Sequence, residues 1–320
     1  MRLKNLSVLI FICLANTVLA QNYPTRPIRI FIPFTAGSAA DIIARAMEPA
    51  MHERLGQAWI IDNRGGAGGN IAAELTAKSA NDGYTFMMGT VGTQAINMSL
   101  YPKLSYNPPK DFMPVTLVGD SPNVLVINPV VPVKSVKQFI ALARSRPGQL
   151  NYGSSGAGTT VHLAGELFSM MSNTRMQHIP FKGAAESLTA LISGETDLQF
   201  ASISSAITLI KSSRLRALGV TGLKRSASLP DIMTISEAAL PGYDAVAWYG
   251  LIAPANLPAT ILNTTHKAAV ESLAQTEVKN RLAAAGVDLR ILGPVEFAAY
   301  SNAEIQKWAK IIKVSGAKAE

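Results

Sequence analysis

The chain has 320 residues, of which 48% are hydrophobic and 16% charged. That length suits about two domains, and the composition excludes a disordered, collagen-like or low-complexity chain. The formal net charge of +8 and sequence pI of 9.6 favour anionic partners without naming one.

Arg2 and Lys4 precede an apolar run over Leu6 to Leu14, and Val18 and Ala20 put small residues at −3 and −1 of a cleavage site. This predicts a secretory signal peptide over 1–20, cleaved near Ala20, and a periplasmic product with no later run of membrane length. The only cysteine, Cys13, lies inside that segment. Disulfides, thiol catalysis and cysteine-ligated metals are therefore excluded for the exported chain. Removing Arg2 and Lys4 lowers the net charge from +8 to +6.

Ile28 to Ile32 reads as a strand, followed by a helix with apolar residues from Ile42 to Leu55 at three/four spacing. Pro49 predicts a kink or break in it. Trp59-Ile60-Ile61 and Tyr84 to Met88 read as strands, with a helix over 70–80 between them, and Thr93 is a candidate cap for a short helix. Val115 to Asn128 is long, apolar and extended. Ser135 then caps a helix, and strands near 150–152, 177–181, 197–200 and 215–220 alternate with helices. Val246 to Ala253 is a second long apolar stretch, and helices starting at Pro258, Thr276 and Glu296 complete the chain.

Repeated strand–helix–strand units predict an α/β fold of two mostly parallel sheets with helices on both faces. Two long extended segments flanking a middle block predict an inserted lobe. The lobes are expected at 21–120 plus 248–320 and at 121–247, joined by two crossover strands near 118–126 and 244–250. A cleft and hinge lie between them.

Two Gly/Ser loops occupy equivalent places, each between a strand and a helix. The first is Phe34-Thr35-Ala36-Gly37-Ser38 up to Asp41, and the second is Ser154-Ser155-Gly156-Ala157-Gly158-Thr159 up to His162. Glycines allow close backbone approach, and a helix N-terminus offers unpaired N–H donors to an anion. Together they predict a neutral, donor-rich grip for a carboxylate. Asp41 sits in a first helical turn, where a carboxylate is electrostatically favoured, with an ammonium-binding role as the sharper alternative. Gly65 to Gly69 lacks phosphate-loop and dinucleotide spacing and reads as a structural turn. The four histidines, His52, His162, His178 and His266, show no metal-ligand spacing, so no metal or other cofactor is expected. Scattered cations without interleaved aromatics argue against nucleic acid. A serine hydrolase built on 153–160 is the runner-up, weakened because the loop lacks the final glycine of a nucleophile elbow.

Tyr23-Pro24-Thr25-Arg26-Pro27-Ile28, Asn63 to Asn70, Leu150 to Gly156, His162 to Phe168, Pro180-Phe181-Lys182-Gly183 and Trp248-Tyr249-Gly250 follow one another in order. This ordered set resembles the Bug proteins, the TctC-like periplasmic receptors of tripartite tricarboxylate transporters. The resemblance implies a non-enzymatic, two-lobed periplasmic binding protein (type II-like) that closes on a small organic acid. The expected partners are permease subunits of such a transporter or a sensor, and the chain is expected to be a monomer. In the family the ligand carboxylate is held largely by backbone and bridging waters from the two loops. The expected ligand contacts are therefore Phe34, Thr35, Ala36, Gly37, Ser38, Asp41, Thr93, Ser154, Ser155, Gly156, Gly158, Thr159, His162 and Ser202. Two departures stand out: Thr35-Ala36-Gly37-Ser38 where Pro-Pro-Gly-Gly is usual, and Ala201-Ser202 where Asp-Asn is common. Loss of that Asp argues against recognition of a ligand amine.

Overall fold

The computed structural model describes residues 23–319 except Lys182. The signal peptide expected over 1–20 lies outside the described residues. Strands β1 (Ile28–Ile32), β2 (Trp59–Asn63) and β3 (Thr85–Thr90) alternate with helices α1 (Ala39–Leu55) and α2 (Asn70–Ala77). The strands pair in parallel, in the order β2-β1-β3. Ile28, Ile30 and Ile32 are fully buried, and α1 covers them with Ile43, Met47, Ala50 and Met51, one apolar stripe of a helix. Pro49 does not break α1, which continues to Leu55. The proline is exposed, so water can satisfy the carbonyl that its missing N–H leaves unpaired.

The strand β4 (Phe112–Ile127) runs through both halves of the molecule. From Phe112 to Pro122 it pairs with β9 (Val246–Pro254), and from Leu117 to Asp120 with β10 (Asp288–Leu292). Beyond that, Asn123–Ile127 pairs with β7 (Leu198–Ser202), and β8 (Arg216–Val220) lies on the other side. In this half, β5 (Asn151–Ser154) lies in parallel between β7 and β6 (Gln177–Pro180). The helices of this half are α3 (Val136–Ser145), α4 (Thr160–Ser172), α5 (Ala184–Ser193) and α6 (Ile203–Lys211).

The sheet is therefore mixed rather than mostly parallel. Pairing is parallel within each strand–helix block, and every antiparallel pair involves β4 or β9, because the chain returns along the strand it left by. The sequence did not reveal β10. It is short, half-buried on both faces and without alternation.

Helices α7 (Ala259–Ala274) and α8 (Thr276–Ala284) add to the first core, and α9 (Pro294–Ser315) closes the chain. A second core runs from Phe139, Phe168 and Phe200 to Trp248, Phe297 and Trp308. At its edge the Glu304 carboxylate is 3% exposed and accepts the indole N–H of Trp248 at 3.1 Å and of Trp308 at 2.9 Å. Lys307 forms an ion pair with it, so this buried charge is compensated and ties β9 to α9.

Candidate functional site

Four loops past the carboxyl ends of parallel strands converge on one cavity of about 260 Å³. Phe34 follows β1, Gly68 follows β2, Thr90-Val91-Gly92 end β3, and Ser155 with Ala157 to Val161 follows β5. Ile96, Asn97, Leu100 and Tyr101 form one wall, and Ala247 and Tyr249 of β9 line it as well. The crevice outside strand carboxyl ends is the usual ligand position in open α/β sheets.

Among the described residues, no charged side chain lines this cavity. It offers backbone amides, the hydroxyls of Ser155, Thr159, Thr160 and Thr90, and the phenols of Tyr101 and Tyr249. Burial pushes Tyr249 up to about 12 and raises Tyr101, so both phenols keep their protons and can donate. Phe34, Val91, Ile96, Leu100 and Val161 supply apolar surface. Such a site suits an anion carried on an apolar body.

Of the residues expected from sequence, Phe34, Ser155, Gly158 and Thr159 line the cavity. Gly156 adjoins it, and its carbonyl accepts the Thr159 hydroxyl at 2.8 Å. Thr35, Ala36 and Gly37 are exposed beside it, and Ser38 caps α1. Asp41 is turned inward and is 2% exposed. Its carboxylate accepts Gly37 N–H at 2.9 Å, Arg45 Nε at 3.0 Å and Asn63 Nδ2 at 3.1 Å. Burial alone would raise its pKa, but those three donors outweigh it and hold the group lowered. Asp41 therefore fixes the first loop and is not among the residues that line the cavity.

Thr93 is fully buried inside a turn over Gly92–Ile96, where its hydroxyl closes on Thr90. It is not the helix cap expected. Ser202 precedes α6, and its hydroxyl meets that of Ser205 at 2.6 Å, away from this cavity. Ser154 is fully buried and lies 2.6 Å from His178 Nε2, and His162 is 5% exposed.

The sequence reading missed Gly68, Thr90 to Gly92, Ile96 to Tyr101, Ala247 and Tyr249. Gly68, expected to serve only a structural turn, borders the cavity with φ +63°, where an added Cβ would sit 2.7 Å from the Tyr101 hydroxyl. The one legible signal was the position of Thr90 at the carboxyl end of a parallel strand.

Residues 43–317 match the family model described as the tripartite tricarboxylate transporter family receptor. The chain belongs to this family. Protein BugT of Bordetella pertussis is 33% identical over 306 residues, which cover 95% of this chain and 94% of that one. An R. palustris protein solved with adipate is 35% identical, with a TM-score of 0.80, and the match covers 92% of this chain and 99% of that chain. MatC of Rhodopseudomonas palustris, solved with bound malate, is 31% identical, with a TM-score of 0.75 over 91% of this chain and 100% of that one. The family is one of periplasmic Bug/TctC receptors, and the α/β periplasmic-binding-protein fold is shared with these structures. Among the described residues, no helix is long and apolar enough to cross a membrane, and no group of three metal-binding side chains occurs.

Proposed function

We propose that this chain is an exported receptor that captures a small carboxylate with an apolar body. It would pass this ligand to permease subunits of a tripartite tricarboxylate-type transporter or to a sensor. The observation that carries the reading is the cavity itself: among the described residues it has no charged lining, and it is walled by loops from both halves of the sheet and rich in amide and hydroxyl donors. The relatives solved with adipate and malate support the carboxylate.

In this reading the lobes are 21–120 with 248–320 and 121–247, and they close about β4 and the start of β9. The double pairing of β4 supports that division. With Asp41 committed to Arg45 and Ala201-Ser202 in place of an acid, the ligand needs no amine.

A serine hydrolase on 153–160 is the weaker reading. Ser154 does contact His178, but it is fully buried and out of substrate reach.

Thermal melting with adipate, malate, hexanoate, glutarate and glutamate tests the proposal. A specific binder gains about 2.7 kcal/mol at a hundred times the dissociation constant. Small-angle scattering at saturation should show a smaller radius of gyration. Stabilisation by glutamate far above its deaminated analogue glutarate, or turnover of an ester panel without carboxylate binding, would overturn it.

A further inference from the structure

Beneath the second loop, two imidazoles stack face to face: His162 in the first turn of α4 and His178 on β6, with centroids 3.8 Å apart and planes 11° apart. His162 Nδ1 accepts the N–H of Gly158 at 2.9 Å, and Gly158 is part of the cavity wall. That bond requires an unprotonated Nδ1, which puts the ring proton on Nε2. Nε2 faces Glu166 Oε1 at 3.6 Å.

The surroundings of the stack are few. Glu166 comes from the same helix. Tyr152 of β5 bonds the Glu166 carboxylate and stacks beside both rings. The Ser154 hydroxyl meets His178 Nε2 at 2.6 Å and also receives Gly156 N–H at 3.1 Å. Tyr243 packs behind Tyr152, with its hydroxyl on the Ala164 carbonyl at 2.8 Å. Among the described residues, Glu166 is the carboxylate that acts on the pair.

We propose that His162 is a positioning residue for the second loop: its neutral ring holds the Gly158 amide, and a proton entering the stacked pair releases that hold and weakens ligand binding. The proposal rests on the reading of this cavity as the ligand site. A proton on Nδ1 turns the acceptor into a donor facing a donor, so the contact to Gly158 is lost. Two rings this close share one charge at most. Burial and the neighbouring His162 keep His178 low, at about 4. The sign follows: the loop is held at high pH and loosens as pH falls.

The experiment combines a ligand-free readout with a binding one. Amide spectra of the full protein are followed from pH 8 to 5 at Gly158, and adipate affinity is measured by calorimetry over the same range. In the wild type, the Gly158 resonance should titrate together with the histidine ring signals, and adipate affinity should fall about ten-fold between pH 7.5 and 5.5. His162→Asn places an amide oxygen near Nδ1 that accepts without titrating, so it should keep more of the affinity at pH 7.5 than His162→Leu and lose the pH dependence. His162→Leu should bind weakly at every pH. A Gly158 resonance indifferent to histidine titration, or full pH dependence in His162→Asn, would overturn the proposal. If adipate binds at no pH, the carboxylate reading falls, and the Gly158 titration alone still decides whether His162 holds the loop.

Discussion

At the residue scale, the candidate hydroxyls are largely spent on building the loop. Thr159 Oγ1 donates to the Gly156 carbonyl at 2.8 Å and accepts the His162 amide at 3.3 Å as the N-cap of α4. Its side chain therefore shapes the loop, and the amides it orders are what remain for an anion. Thr159→Val keeps the volume and removes the cap. It should cost about 1 kcal/mol of stability in urea unfolding and weaken adipate binding several-fold, on the scale of a lost N-cap. Thr159→Ser should restore both. If Thr159→Val bound adipate normally while losing stability, the loop would tolerate a frayed helix start and the hydroxyl would serve the fold alone.

At the scale of elements, the second loop meets the opposite wall at Gly158. Gly158 has φ +75°, and an added Cβ would sit 2.1 Å from Leu100 Cδ2 and 3.2 Å from its Cγ. A left-handed non-glycine residue costs about 1–2 kcal/mol by itself, and the clash with Leu100 adds to that. Gly158→Ala should leave the hydrophobic cores intact, because no residue of 155–159 belongs to one, but it should hold the walls apart. Its adipate affinity is expected to drop at least about ten-fold. Adding Leu100→Ala relieves the clash but not the φ strain, so it should recover part of the loss. Equal affinity in Gly158→Ala and wild type would show that the two walls do not need to meet there.

At the scale of the whole molecule, β4 is the seam, and it carries a charge burden. A second hollow of about 720 Å³ at the seam is lined by Asp120, Asp244, Asp288, Lys224 and Arg290 among others. Asp120 of β4 and Asp288 of β10 stand directly opposite each other in the register, an unfavourable position for like charges. Asp120 Oδ2 receives Arg290 at 3.2 Å, while Oδ1 is buried without a partner among the described residues. Burial, only partly offset by Arg290, raises Asp120 to about 6. A raised carboxyl favours the folded state when protonated, so this contribution is present at low pH and is lost as pH rises through about 6. Asp120→Asn should remove that decline. Relative to wild type it should gain about 1–2 kcal/mol between pH 5 and 7.5, allowing for the solvent that reaches the group. Urea unfolding at both pH values reads this difference. A constant difference would mean that Arg290 compensates the charge fully. His178, held low by burial, acts in the opposite direction in the acid range, so only the difference between variant and wild type isolates Asp120.

Local chemistry settled the strand–helix order, the cap at Ser135 and the two glycine-bearing loops, because each depends on residues within a few positions of one another. The family pattern was legible for the same reason, as an ordered string of short segments. Tertiary structure decided the rest. Whether Asp41 faces a ligand or Arg45, whether Gly68 is only a turn or also a wall, and how Leu100 comes to meet Gly158 all depend on distant segments packing together. His162 and His178 are sixteen residues apart in the chain and belong to a helix and a strand. Only the parallel pairing of β5 with β6 under α4 stacks their rings, and the periodicity of neither segment records which partner its polar face will meet.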